Sequence, residues 1–262
     1  MNHLKLWCEY QKMAIKQWNE YKIDFIFIAL ASIISLLISL VNIEIVYTQV
    51  DDISGWTKYE VLWMLGYFVV IQCIFNVFFV NCFDVSSWIY DGKLDVLCAR
   101  PRSILFQLLF AERYNVEYPI DQLLVGTGLL FWANHHLKID WTMEKIFFFI
   151  GSLPISTIIY TSIIFIVSSI SLWCVKNNYI VEFIFELEEI NQYPINIYGN
   201  MVMNILTYVI PIGFVSFYPS QYILENEEFY KYISAMPFVA IAMCLLAFVS
   251  WKFWFKKYQS PN

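Results

Sequence analysis

Val61–Phe83 reads VLWMLGYFVVIQCIFNVFFVNCF and contains no Asp, Glu, Lys or Arg. A helix crosses the hydrocarbon core of a bilayer with about 20 predominantly apolar residues, and this stretch meets that length with nothing charged inside it. Five more uncharged stretches share its character: Phe25–Ile43, Gln122–Leu137, Ile146–Val175, Ile190–Leu224 and Tyr232–Trp251. Gln122–Leu137 is the weak one, and it makes a full crossing if its helix starts near Pro119, where the missing proline N–H has no intrahelical partner to lose. The chain of 262 residues is 60% hydrophobic, 19% aromatic and only 15% charged, against roughly a quarter charged in a soluble domain. The expected fold is an all-α membrane protein: six transmembrane helices in a single domain over residues 1–262.

Basic residues are retained on the cytoplasmic side of a membrane. With the N-terminus inside, Lys5, Lys12, Lys16, Lys22, Lys93, Arg100, Arg102, Arg113, Lys176, Lys252, Lys256 and Lys257 face the cytoplasm, while Lys58, Lys138, Lys145 and Lys231 lie outside. Both termini are then cytoplasmic, as six crossings require. The formal charge of −6 does not disturb this, because acidic residues count little in the rule, and it argues against nucleic-acid binding. The first apolar stretch is longer than a signal-peptide core and runs into Val41-Asn42-Ile43-Glu44 in place of a small-x-small cleavage site, so it reads as a retained span. The six cysteines include no C-x-x-C pair and none in an external loop, which supports neither a disulfide framework nor a zinc site.

Before the first span, Leu4, Trp7, Gln11, Ala14, Trp18 and Tyr21 recur at helical spacing, while Lys5, Glu9, Lys12, Lys16 and Glu20 share another face. This is the pattern of a helix lying in the membrane interface; the alternative is a loose basic leader. Residues 84–118 form the longest polar segment, between the second and third spans. Gly92 and Pro101 bracket Leu94–Arg100 there and mark a folded connector, followed by a helical stretch over Ser103–Arg113. Tyr179–Ile190 alternates Ile180, Phe183, Ile184 and Leu187 with Glu182, Glu186, Glu188 and Glu189. It reads as an amphipathic helix at the cytoplasmic interface, its glutamates forming a solvated face or a contact for a basic partner. Tyr193-Pro194 ends that helix, and Pro211 marks a kink inside the fifth span.

The chain has no G-x-x-x-x-G-K-[ST] phosphate loop, no H-E-x-x-H and no G-x-S-x-G. No catalytic residue and no metal site is assigned, and nucleotide hydrolysis falls to another protein. The adjacent histidines His135 and His136 project from different helix faces, which suits an interfacial pair better than a metal site. Charged groups are expensive in lipid and mark ion-coupled pathways; none lies in the six stretches, so ion-coupled transport is disfavoured. The polar groups inside are neutral: Gln72 and Asn76 on the second span, Thr157, Tyr160 and Thr161 on the fourth, and Asn204, Thr207 and Tyr208 on the fifth. Two roles fit them: interhelical hydrogen bonds worth about 0.6–2 kcal/mol each, or a cleft for an amphipathic substrate, uncharged or cationic.

Six spans, the interfacial N-terminal helix, the run Asp91-Gly92-Lys93-Leu94-Asp95-x-Leu97-x-x-Arg100-Pro101 after the second span, Tyr193-Pro194-Ile195, and Val209-Ile210-Pro211 followed by Tyr218-Pro219 together resemble the ABC-2 type permeases. Within them the likeness is to the bacterial subfamily encoded beside a daunorubicin-resistance-like ATPase, and it covers nearly the whole chain. The resemblance implies a permease subunit, not itself an enzyme, of an ATP-binding cassette transporter in the bacterial plasma membrane, most often an exporter. It implies as partners an ATP-binding cassette ATPase, which would hold the ATP and Mg²⁺, and a second permease, either a copy of this chain or a sister. The family's coupling helix lies in the first cytoplasmic loop, which here corresponds to Asp91, Gly92, Lys93, Asp95, Arg100, Pro101, Arg102 and Arg113. Leu97-Cys98-Ala99-Arg100-Pro101 departs from the family's usual Leu-Leu-x-Arg-Pro. The competing expectation is a non-transporting membrane protein, such as an immunity or assembly factor, that binds a partner.

Overall fold

The computed structural model describes residues 22–83, 85–101, 103–110, 119–173 and 178–258, together with residue 12. The interfacial helix expected at the N-terminus lies, apart from residue 12, outside the described residues, as do Arg102 and Arg113. In chain order the helices are α1 (Lys22–Tyr47), α2 (Lys58–Phe78), α3 (Val85–Tyr90), α4 (Lys93–Ala99), α5 (Ile104–Phe110), α6 (Ile120–Leu137), α7 (Met143–Ser169), α8 (Asn178–Ile190), α9 (Gly199–Tyr208), α10 (Phe217–Ile223), α11 (Tyr230–Ile233) and α12 (Met236–Phe255). Among the described residues there is no strand beyond an isolated bridge between Ile53 and Trp56. Among the described residues three helical runs are long and apolar enough to cross a membrane, Lys58–Phe78, Met143–Leu172 and Met236–Phe255, and the bent pair Ile195–Tyr208 and Ile212–Ile223 is so only when taken together.

α2 begins where the Glu60 carboxylate accepts from the N–H and the hydroxyl of Thr57, each at 2.8 Å, giving otherwise orphaned donors at a helix start their partners. Every residue from Val61 to Ile71 is buried, so this helix is covered on all faces and forms the centre of the bundle. α6 runs antiparallel against it. A Cβ built on Gly66 would sit 3.0 Å from the Leu129 Cβ and 3.1 Å from the Gly126 carbonyl oxygen, and one on Gly126 would sit 3.2 Å from the Gly66 carbonyl oxygen. The two backbones touch through paired glycines, the close approach that small residues permit between helices in lipid. On its other side α2 runs parallel to α7, with the Tyr67 hydroxyl donating to Ser152 at 2.7 Å. α7 in turn packs parallel to α12 through stacked Phe165 and Trp251 rings, 5.3 Å apart, and the Ser169 and Ser250 hydroxyls at 2.7 Å.

Ile190–Leu224, expected as one span with a kink at Pro211, is instead a hairpin. The Trp56 indole N–H donates to Asn196 at 3.0 Å, and its ring lies 5.6 Å from that of Phe217, so the chain leaves Trp56 and returns to it. Between these points Ile195–Tyr208 and Ile212–Ile223 are bent by 82°. The bend has local causes. The N–H groups of Val209 and Ile210 both turn to the Ile205 carbonyl, at 3.0 and 2.9 Å, and Pro211 has no N–H to continue the ladder. Gly213 then lets the legs close, since a Cβ there would lie 2.6 Å from Ile195 Cδ1. The Thr207 and Tyr218 hydroxyls join the legs at 2.7 Å, and Lys145 at the start of α7 holds Glu225 at the exit, at 2.6 Å.

Replacing Gly66 by Val would wedge α2 from α6. Overpacking of this kind costs about 1–3 kcal/mol, to be read as a lower melting temperature of the purified chain in detergent. Gly128→Ala, where a Cβ meets nothing within 4 Å, is expected to leave that temperature unchanged or raise it.

Candidate transport pathway and coupling surface

The helical phase of α8 separates its glutamates. Glu182, Glu186 and Glu189 follow i, i+4, i+7 spacing and are exposed, whereas Glu188 lies four residues after Ile184, which is 1% exposed, and so shares its inward face. α8 runs antiparallel to the second half of α7, and the Tyr160 hydroxyl donates to the Glu188 carboxylate. The Gln72 side chain lies beside both. Phe68 and Phe75 press edge-on against the Tyr160 ring, at 5.7 and 5.1 Å. Tyr160 is buried in the middle of the Met143–Leu172 run, so a carboxylate reaches the bundle interior although the uncharged stretches contain none. No cation pairs with Glu188 among the described residues. The helix expected at the membrane interface thus supplies the one charged group of an interior cluster that ties α2, α7 and α8 together.

The other pathway candidates fall in three places. Asn76 donates to Gln122 of α6 at 3.0 Å, one turn beyond Gln72 on α2. Thr157 is buried and donates to the Leu153 carbonyl of its own helix at 2.8 Å, while the Thr161 hydroxyl, one turn further along, is buried without a partner among the described residues. Thr207 belongs to the hairpin legs, and Tyr208 meets the hydroxyl of Tyr232 at 3.3 Å on the exposed side. Asn204 is exposed on α9. Of the eight candidates, then, Gln72 and Tyr160 gather at Glu188, and the structure does not bring all eight to a single cleft.

The connector between α2 and α6 is folded. α3 packs on the turn that ends the α7 run (Ile170–Leu172), and α5 packs on the turn after α2 (Val80–Cys82). Gly92 adopts φ +69° between α3 and α4, a left-handed conformation in which a side chain costs about 1–2 kcal/mol. Leu94, Leu97 and Leu108 are buried beneath, and Gln107 donates to the Leu97 carbonyl at 3.2 Å. Lys93 pairs with Asp91 at 2.8 Å, and the Tyr258 hydroxyl donates to Asp95 at 2.9 Å, tying the end of the chain to α4. Burial, and then the bond to Asp95, push the Tyr258 pKa well above its ordinary value, so this donor keeps its proton at neutral pH. Among the described residues the connector leaves outward Ser87, Tyr90, Asp91, Val96, Ser103 and the run from Cys98 to Pro101.

A family model described as ABC-2 family transporter protein matches residues 33–261. The chain belongs to the ABC-2 transporter family. Comparison with curated proteins and with solved structures gives no match. Family membership makes it a membrane transport component, and ABC-2 permeases normally work with an ATPase subunit. The lateral surface fits a multi-pass membrane protein: Phe131 of α6, Phe147 of α7 and Phe238 of α12 are each at least 74% exposed. For an ABC-2 member the site residue missed in the sequence is Glu188. Its signal was present in the spacing: of the four glutamates it alone falls out of phase with the exposed stripe.

Tyr160→Phe keeps the ring packed and removes the donor to Glu188. It is expected to destabilise the chain by about 1–3 kcal/mol, the cost of an unsatisfied buried group, with Glu188→Gln milder because its amide oxygen still accepts. Thermal melts in detergent test this, and equal losses for Glu188→Gln and Glu188→Ala would refute the hydrogen-bonded role.

Proposed function

We propose that this chain is the permease subunit of an ATP-driven exporter in the bacterial plasma membrane. Its six crossings are α1, α2, α6, α7, α8 continued through Ile195–Tyr198, and α12, with both termini cytoplasmic. The alternating direction of these helices supports that count, and the hairpin of α9 and α10 lies at the outer end. Two permeases, copies of this chain or this chain with a sister, pair in the membrane. They bind ATP-binding cassette ATPase subunits, which hold the ATP and Mg²⁺, and move an amphipathic small molecule, a peptide or a lipid-linked molecule.

The observation that carries this reading is the connector, which buries Leu94, Leu97 and Leu108 yet leaves Tyr90, Val96 and Arg100 outward. An exposed ridge on a folded base suits insertion into a groove of a partner, with aromatic and arginine side chains as anchors. Asp91, Lys93 and Asp95 hold the base together; Arg102 and Arg113 extend the basic character of the same segment in the sequence. Closure of the ATPases on ATP would push this ridge, and its contacts at the ends of α2 and α7 would pass the motion to the helices that carry Gln72 and Tyr160. Coupling of this kind needs an element with two arrangements that the ligand biases. Release of Glu188 from Tyr160 and Gln72, freeing α8, is the change this geometry offers.

Val96→Asp combined with Tyr90→Ala alters only outward side chains. It is expected to weaken co-purification with the ATPase, and the ATP turnover that depends on this chain, by about tenfold, equivalent to about 1.4 kcal/mol. Unchanged association and turnover would sink the coupling assignment, and full biological function without any ATPase would favour the immunity or assembly reading.

A further inference from the structure

A groove of about 480 Å³ opens on the side of the bundle between α7, α8 and α12, with the tip of the hairpin above it. Ile163 and Val167 of α7, Leu187 of α8, Ile210 at the tip, and Met243 and Val249 of α12 form its walls; of all its lining residues only Ser250 is polar. The volume lies within the range of about 300–1,000 Å³ typical of small-molecule sites. Two of the walls are runs apolar enough to cross a membrane, and of the lining residues Leu246 and Val249 are 55% and 61% exposed. Its mouth therefore faces hydrocarbon.

The end of the groove toward the connector has a different chemistry. Phe253 and Trp254 line it, and the Lys257 ammonium lies 4.4 Å from the first ring and 5.2 Å from the second. Lys257 is exposed and forms no ion pair among the described residues. Trp173, at the end of the α7 run, stacks on Trp254 at 5.6 Å. Tryptophan gathers at headgroup depth in a bilayer, so the indole pair marks where the groove leaves the hydrocarbon and Lys257 stands just beyond it. The exposed glutamates of α8 occupy another face of that helix, since Phe183 and Leu187 are its residues in the groove.

We propose that this groove is a binding site for an anionic phospholipid. One acyl chain fills the apolar channel between α7, α8 and α12, and the phosphate rests on the Lys257 ammonium. An apolar slot open to the bilayer and ending in one unpaired cation matches such a lipid in both shape and charge. The site is separate from the Gln72–Tyr160–Glu188 cluster and does not depend on an ATPase.

Native mass spectrometry of the full-length chain in neutral detergent, offered equal amounts of phosphatidylglycerol and phosphatidylcholine, reads both bound lipid and oligomeric state. The wild-type chain is expected to retain phosphatidylglycerol in preference. Lys257→Ala should lower the ratio of the two lipids about fivefold, the usual effect of one basic residue near an anionic surface. Lys252→Ala, whose ammonium sits over Phe248 outside the groove, should not change it. Val249→Trp fills the slot and should remove bound phosphatidylglycerol. Should that variant fail to fold, the exposed Lys257 substitution still decides. An unchanged ratio in Lys257→Ala, lipid retained by a folded Val249→Trp chain, or a dimer that binds neither lipid because a second copy covers the groove would each overturn the proposal.

Discussion

The bundle depends on the contact between Gly66 and Gly126. Between helices in lipid the hydrophobic effect supplies no driving force, so association rests on close packing and on hydrogen bonds. Paired glycines bring α2 and α6 to backbone contact, and that approach lets the remaining faces of α2 be covered by its other neighbours. With α2 enclosed, the polar groups along it must find partners on adjacent helices, because an unpaired polar group in a nonaqueous interior costs several kcal/mol. Tyr67 finds Ser152 and Asn76 finds Gln122, while Gln72 lies beside Tyr160 and Glu188. One buried helix thus distributes hydrogen bonds to two others.

The Trp56 end of the bundle follows a related rule. The hairpin of α9 and α10 places non-helical backbone among the helices, which is tolerated where protein covers it. Past the end of its ladder Pro211 to Val215 are buried, and the Thr207–Tyr218 bond and the fit of Ile195 against Gly213 close the turn. Trp56 secures both of its feet. This end is cross-tied by side chains distant in sequence, whereas the connector end packs short helices directly on the last turns of α2 and α7. A push on the connector meets the ends of two long helices, and the hairpin end is braced against it.

Glu188 links these halves. A carboxylate held by the Tyr160 hydroxyl, beside the Gln72 amide and with no cation among the described residues, is stable only while those groups stay in place, which makes the position of α8 sensitive to a shift of α2 against α7. The lateral groove lies on the other side of the same helix, walled by Leu187. Movement of α8 would alter both the interior cluster and the width of the slot.

The amino-acid sequence by itself determined the helical membrane class, through uncharged runs too long for any other use, and the family, through the order of its short motifs over nearly the whole chain. It also located the breaks at Gly92 and Pro211, because these residues act through their own backbone chemistry, a left-handed φ in one case and a missing N–H in the other. Only the tertiary structure decided that Ile190–Leu224 turns back to Trp56 and that Glu188 points inward while Glu182, Glu186 and Glu189 do not. The reason is physical. An uncharged run records how much apolar surface a segment carries but not the direction in which it travels, and helical periodicity divides residues between faces without saying which neighbour waits on each. The partner of Glu188 is Tyr160, 28 residues away, and that of Trp56 is Asn196, 140 away; such pairings exist only once the helices are packed.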